Sequence, residues 1–201
     1  GHGNGLAASS LLIGKSPNTD KEMLTVARKN LKNSKLGVHT IPGLSTIDDA
    51  KLAVDYGVDV FRVATHCTEA TLSKSHIEYL AKTGKTVYGV LMMSALISAD
   101  ELVEQAKKND MRLVARHVMF RDKGLYLQEP QWQLHKHNSE YWVDMRNQDV
   151  VNYNLALLEQ EARMGFDEIA LDYIRYPSIK GIDPESKRCE VIDEVVRKAK
   201  S

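Results

Sequence analysis

The residues best equipped for chemistry stand together at 172–177, Asp-Tyr-Ile-Arg-Tyr-Pro. A carboxylate (Asp172), a guanidinium (Arg175) and two phenols (Tyr173, Tyr176) follow directly on the apolar run Ile169-Ala170-Leu171. That run has the length and composition of a parallel strand buried on both faces. Pro177 stops it. Charged groups crowding the C-terminal end of such a strand suit acid–base work or charge stabilisation, because α/β barrels place their ligands there. The competing reading is a structural ion pair, Asp172 with Arg175, at the strand rim.

Other groupings carry less. His135-Lys136-His137 would set two imidazoles on one face if it were a strand, but no third metal ligand is near in sequence, and surface histidines are the simpler reading. His66 and Cys67 are adjacent, so on a strand they face opposite ways and make no nucleophile pair. Gly1-His2-Gly3-Asn4-Gly5 is a lone glycine-rich loop, a weak anion signal. Met92-Met93 reads as core and rim.

The elements that must hold these residues alternate without a break. Helices are expected from Asn18 as cap, from Ser45 as cap with Asp48 as its partner, over residues 73–82, from the Ser98 to Glu101 box, from Asn147 as cap, and after Asp183 with Pro184 in the first turn. Strands are expected at 36–41, 59–64, 86–93, 112–120 and around 169–173, with Gly165 ending the helix before the last. The fold class is therefore α/β, with about five strands, parallel because helices separate them. An eight-stranded barrel needs about 250 residues, so 201 residues read as a partial TIM-type (βα) barrel whose open edges invite self-association. The opening glycine-rich stretch reads as the loop after a missing strand, which points to a fragment or a constructed chain. Residues 121–146 are longer than a usual connection, and rich in Tyr, Trp and His, so they are a candidate functional loop.

Composition narrows the partners. Lys plus Arg and Asp plus Glu both number 27, so no global field recruits nucleic acid or anionic membrane. No apolar run reaches the ~18 residues of a membrane span. Two cysteines form no disulfide framework, which fits a reducing, cytoplasmic setting.

Two resemblances divide the chain. GHGNGLAASS (1–10), NTDKEML (18–24), FRVATHCTEA (61–70), SKSHIEYL (73–80) and GVLMMS (89–94) resemble the 4-hydroxy-2-oxovalerate aldolases, HMG-CoA-lyase-like barrels, over residues 1–109. The resemblance implies barrel architecture. It also implies a divalent metal such as Mn²⁺, but the family's metal ligands and its other catalytic residues lie outside the matched stretch. No cofactor is therefore expected except under that alternative. RLVARHVMFRD (112–122), YWVDMRNQDVVNYNLALLEQEARMGFDEI (141–169) and LDYIRYP (171–177) resemble a bacterial family of glycoside-hydrolase-type barrels, with Met145 where that family usually has Pro. The join falls near residues 108–111. The expected organisation is an aldolase-like fragment, 1–109, and a hydrolase-like fragment, 110–201, packed as one domain.

The second resemblance gives the charged strand end a chemistry. Glycoside hydrolysis uses two carboxyl groups, about 5–5.5 Å apart for retention and about 6.5–9.5 Å for inversion. Asp172 is the candidate nucleophile or stabiliser of positive charge. Arg116, on the neighbouring strand, would hold it ionised. Arg175 would orient it or bind a hydroxyl. Trp142 and Tyr173 offer flat faces to a sugar, though Trp142 reads equally as a core aromatic. Asp144 either accepts sugar hydroxyls or caps the next helix. No second carboxylate stands out among Asp122, Glu129, Glu140 and Glu69, so weak or absent activity is expected. The expected partner is a carbohydrate; the alternatives are an aldolase-type lyase and a scaffold without activity.

Overall fold

The computed structural model describes residues 5–8, 14–108, 111–179 and 181–200. The N-terminal glycine-rich loop at 1–4, the apolar patch at 11–13 and residues 109–110 of the expected join lie outside the described residues. The chain forms two compact units, Gly1–Ser98 and Ala99–Ser201.

The first unit runs α1 (Asp20–Asn30), β1 (Gly37–Thr40), α2 (Ile47–Asp55), β2 (Val60–His66), a 3₁₀ segment (Cys67–Ser73), α3 (Lys74–Lys82) and β3 (Thr86–Met92). Its strands pair in parallel in the order β1-β2-β3. The alternation along β2 places Phe61 and Val63 in a core with Leu24, Ala50, Ala53, Val58 and Leu80. Both expected helix caps move by one residue. Thr19, not Asn18, accepts the Glu22 N–H while Glu22 reaches back to the Thr19 N–H. Thr46, not Ser45, does the same with Asp49. Ser45 is already committed: it is buried, and its hydroxyl pairs with that of Thr40 and donates to the Ile41 carbonyl.

The second unit runs α4 (Ala99–Lys108), β4 (Val114–Val118), α5 (Lys123–Gln128), β5 (Gln133–His137), β6 (Glu140–Val143), α6 (Gln148–Met164), β7 (Glu168–Asp172) and α7 (Glu185–Ala199). Strands β4 and β7 pair in parallel, Arg116 opposite Ala170 and Val118 opposite Asp172. The five expected strands are all present, and they pair in parallel within two separate sheets, β1-β2-β3 and β4-β7. The 121–146 segment is not irregular, however: it holds the short helix α5, capped by Asp122 through the Leu125 N–H, and an antiparallel hairpin, β5 with β6. Asn138, at φ +51°, makes the turn, a conformation that Asn tolerates better than most residues.

Helix α6 starts at Asn147 as expected and ends at Gly165, whose φ is +93°. Pro184 is the cap of α7 and lies one residue before the helix. The core of this unit gathers Met119, Phe120, Leu125, Trp142, Val143, Met145, Val150, Leu158 and Val195. Strand β7 is not buried on both faces. Ile169 and Leu171 pack toward this core, whereas Ala170 on the other face is exposed. Helix α6 supplies apolar side chains to one side of the β4–β7 pair only.

Among the described residues no helix is long and apolar enough to cross a membrane.

Candidate functional site

Alternation along β4 turns neighbouring side chains to opposite faces. Arg116 lies on the open face with Asp172, and its guanidinium is hydrogen-bonded to the Asp172 carboxylate. The Asp172 side chain keeps about a third of its surface exposed, at 36%, so it is not packed in hydrocarbon. Its second oxygen accepts the Tyr173 N–H at 2.7 Å. The Asp172 carbonyl accepts the Met119 N–H at 2.9 Å and extends the ladder past the strand end.

At Tyr173 the backbone enters the left-handed region, φ +52°. A bulky residue rarely adopts that conformation, and such residues concentrate at functional sites. The turn redirects the chain as it leaves Asp172. The Tyr173 ring meets Trp142 edge-on, with centroids 5.7 Å apart. Arg121 lies over the Tyr173 ring at 4.9 Å and donates to its hydroxyl at 2.5 Å. Arg175 lies over Trp142 at 4.9 Å and over Tyr173 at 5.7 Å.

The hairpin delivers the remaining members. Trp142 on β6 is fully buried, at 1% exposure. It is therefore a floor on which Arg175 lies, not an open platform for a sugar ring. Its indole N–H donates to Glu140 at 3.3 Å. The other Glu140 oxygen pairs with Arg121 at 3.3 Å. Glu140 is thus the loop carboxylate that the hairpin brings to the aromatic cluster. Sequence reasoning gave Glu140 no particular weight and missed Arg121. The period-two spacing of Glu140 and Trp142, and the place of Arg121 just beyond β4, were the available signals. Asp122 is occupied as a cap, and Glu129 takes the Gln131 amide at 2.8 Å.

Asp144 joins a different cluster. Arg146 donates to both of its oxygens, at 2.8 and 2.7 Å, and reaches Asp183 at 3.2 Å. Burial pushes the Asp144 carboxyl up, but the Arg146 side chain and N–H outweigh it and hold Asp144 below its ordinary range. Tyr176, buried beside Asp183 with its hydroxyl 3.3 Å away, has its phenol pushed up to about 12, first by burial and then by that carboxylate.

On the helix-facing side of β4, His117 is buried between Glu161, 2.9 Å from Nδ1, and Asn154, 3.1 Å from Nε2. The Asn154 amide donates to the Val150 carbonyl, which leaves its oxygen toward the imidazole and makes Nε2 the donor. His135 and His137 do project from one face of a strand, their rings parallel with centroids 6.5 Å apart. Among the described residues no group of three His, Cys, Asp or Glu side chains could hold a metal ion.

Residues 72–200 match the model of the family described as "Putative glycosyl hydrolase domain". The chain belongs to that family. It is also similar to a 4-hydroxy-2-oxovalerate aldolase from Spirochaeta aurantia, 50% identical over 128 residues. That match takes in 63% of this chain and 38% of the relative, so the chain spans well under half of the relative's length. The two matches overlap. The divalent metal implied by the aldolase resemblance finds no fitting ligand set among the described residues. Among solved structures, a hypothetical protein from Ruminiclostridium thermocellum aligns with a TM-score of 0.46 and 20% identity, over 80% of this chain and 90% of that one. An α-galactosidase from Thermus thermophilus aligns with a TM-score of 0.44 and 14% identity, over 90% of this chain and 40% of that one. Likenesses at these scores carry no functional argument.

Proposed function

We propose that the second unit of this glycosyl hydrolase family member binds carbohydrate at the C-terminal end of β4 and β7, with Asp172 as its reactive carboxylate. The observation that supports this reading most is the partly exposed Asp172, held by Arg116 and followed at once by a left-handed tyrosine. An ionised carboxylate there stabilises positive charge at an anomeric carbon. Glu140 is the second carboxylate. One of its oxygens accepts the Trp142 N–H and the other is ion-paired with Arg121, which keeps it ionised, so its part is to accept from a substrate hydroxyl or a water. A carboxyl placed to donate a proton to the leaving group is the missing partner, and binding with weak turnover is the expected behaviour.

In the same reading the parallel pairs are segments of a partial (βα) barrel assembled from aldolase-like and hydrolase-like pieces, and its open strand edges favour self-association.

The test is binding and hydrolysis across a panel of oligosaccharides. Asp172→Asn should abolish hydrolysis and weaken binding about tenfold, the worth of one charged hydrogen bond. Glu140→Gln should lower both. Unchanged binding and turnover in both variants, with their folds intact, would remove this assignment.

A further inference from the structure

The charges around Tyr173 do not balance. Arg116 is paired with Asp172 and Arg121 with Glu140. Arg175 is the third guanidinium of the cluster. Among the described residues it has no carboxylate within ion-pair distance; its partners are the two rings and the Tyr176 carbonyl, which accepts from Nη1 at 3.1 Å. Arg175 is exposed. A guanidinium carries five N–H donors in one plane; among the described residues only the Tyr176 carbonyl accepts a hydrogen bond from it. Its contacts with the Trp142 and Tyr173 rings and its hydrogen bond to the Tyr176 carbonyl restrain the guanidinium before any ligand arrives. A fork held in this way loses little freedom on meeting a planar anion, and it matches the two oxygens of a carboxylate.

Two lysines lie on the opposite face of the hairpin strand β6. Lys123 and Lys136 both lie over the Tyr141 ring, at 5.6 and 5.1 Å. Neither has a carboxylate within ion-pair distance among the described residues. Tyr141 and Trp142 are neighbours on β6 and so face opposite ways; the unmatched charge on the Trp142 side is that of Arg175. A neutral sugar would leave the Arg175 fork with hydroxyls alone. A sugar bearing its own carboxylate would complete the third pair.

From this we infer that the site selects acidic glycans, with Arg175 holding the carboxylate of a uronic acid unit. The inference rests on the carbohydrate reading above and narrows it to a substrate class.

The decisive probes are an oligogalacturonate and the same oligomer fully methyl-esterified, which keeps the sugar chain and removes the charge. They are run beside a glycan array holding neutral and uronate-bearing chains. The wild-type protein should bind the free acid at least about tenfold more tightly than the ester, the worth of one charge-assisted contact. Raising the salt should shrink that ratio. Arg175→Met should bring the two probes to equal, weak affinity, and Arg175→Lys should restore part of the preference. A thermal melt and the near-UV spectrum of each variant establish that the aromatic cluster is intact. If Arg175→Met fails to fold, Arg175→Lys with the salt series decides: a preference unaffected by both overturns the inference. Equal binding of acid and ester by the wild type, with uronate-bearing chains no better than neutral ones on the array, overturns acidic selection and leaves the carbohydrate site standing. No binding to any glycan removes both.

Discussion

Replacing Trp142 by alanine should destabilise the second unit by about 3–5 kcal/mol, the usual cost of emptying a large aromatic site. The side chain is 1% exposed and sits among Met119, Phe120, Val143 and Met145. A buried tryptophan removes roughly 150–250 Å² from water, worth about 4–6 kcal/mol at about 25 cal/mol per Å². That figure is an upper bound, because the unfolded chain already hides part of the surface. The edge contact with Tyr173 and the hydrogen bond to Glu140 are lost as well. The assay is urea unfolding followed by tryptophan fluorescence. The chain has only two tryptophans, Trp132 and Trp142, both in the second unit, so the signal reports that unit; in the variant, Trp132 remains as reporter. Because the units can melt separately, the fit is to this transition alone. Trp142→Phe should cost clearly less, since it keeps a ring beneath Arg175. A loss below about 1.5 kcal/mol for Trp142→Ala would refute the view of Trp142 as the packed floor of the site.

Three further outcomes follow from buried polar groups. Asn154→Ala should cost about 1–3 kcal/mol by urea midpoint, because it strips the His117 Nε2 donor of its acceptor in a buried place. Asp144 has a lowered pKa in the fold, so its contribution is complete above about pH 4, the ordinary carboxylate value, and is lost as pH falls through the depressed value. Asp144→Asn should therefore flatten the acid limb of stability against pH. Tyr176, at about 12 against an ordinary 10.0, contributes fully below pH 10.0 and loses that contribution as pH rises toward 12; Tyr176→Phe should flatten the alkaline limb, read by thermal melts across that range.

The parallel strands were legible because each is a short apolar run closed by a helix signal, and that pattern is local. The hairpin was not, because Gln133-Leu-His-Lys-His137 has little β-branched or aromatic content. It is a strand because it pairs with Glu140-Tyr-Trp-Val143, not because of its own propensity. The cap positions were off by one where two hydroxyl residues adjoin: Ser45 and Thr46 are equivalent on paper, and only the buried contact with Thr40 separates them. Asp172 and Arg116 were readable as partners from their places at parallel strand ends. Arg121 and Glu140 were not, since their meeting depends on how the hairpin folds back. Trp142 was balanced between platform and core until its burial was known.

Strand β4 has an arginine and a histidine side by side, one turned to the carboxylate mouth and the other to helix α6. Moving the strand by a single residue against β7 would exchange them. The guanidinium would be thrust against Asn154 and the helix, and Asp172 would face the imidazole in place of its arginine partner. A misaligned copy of this sheet thus carries its own penalty. The arginine that equips the mouth and the histidine behind it together tell the strand where to stop.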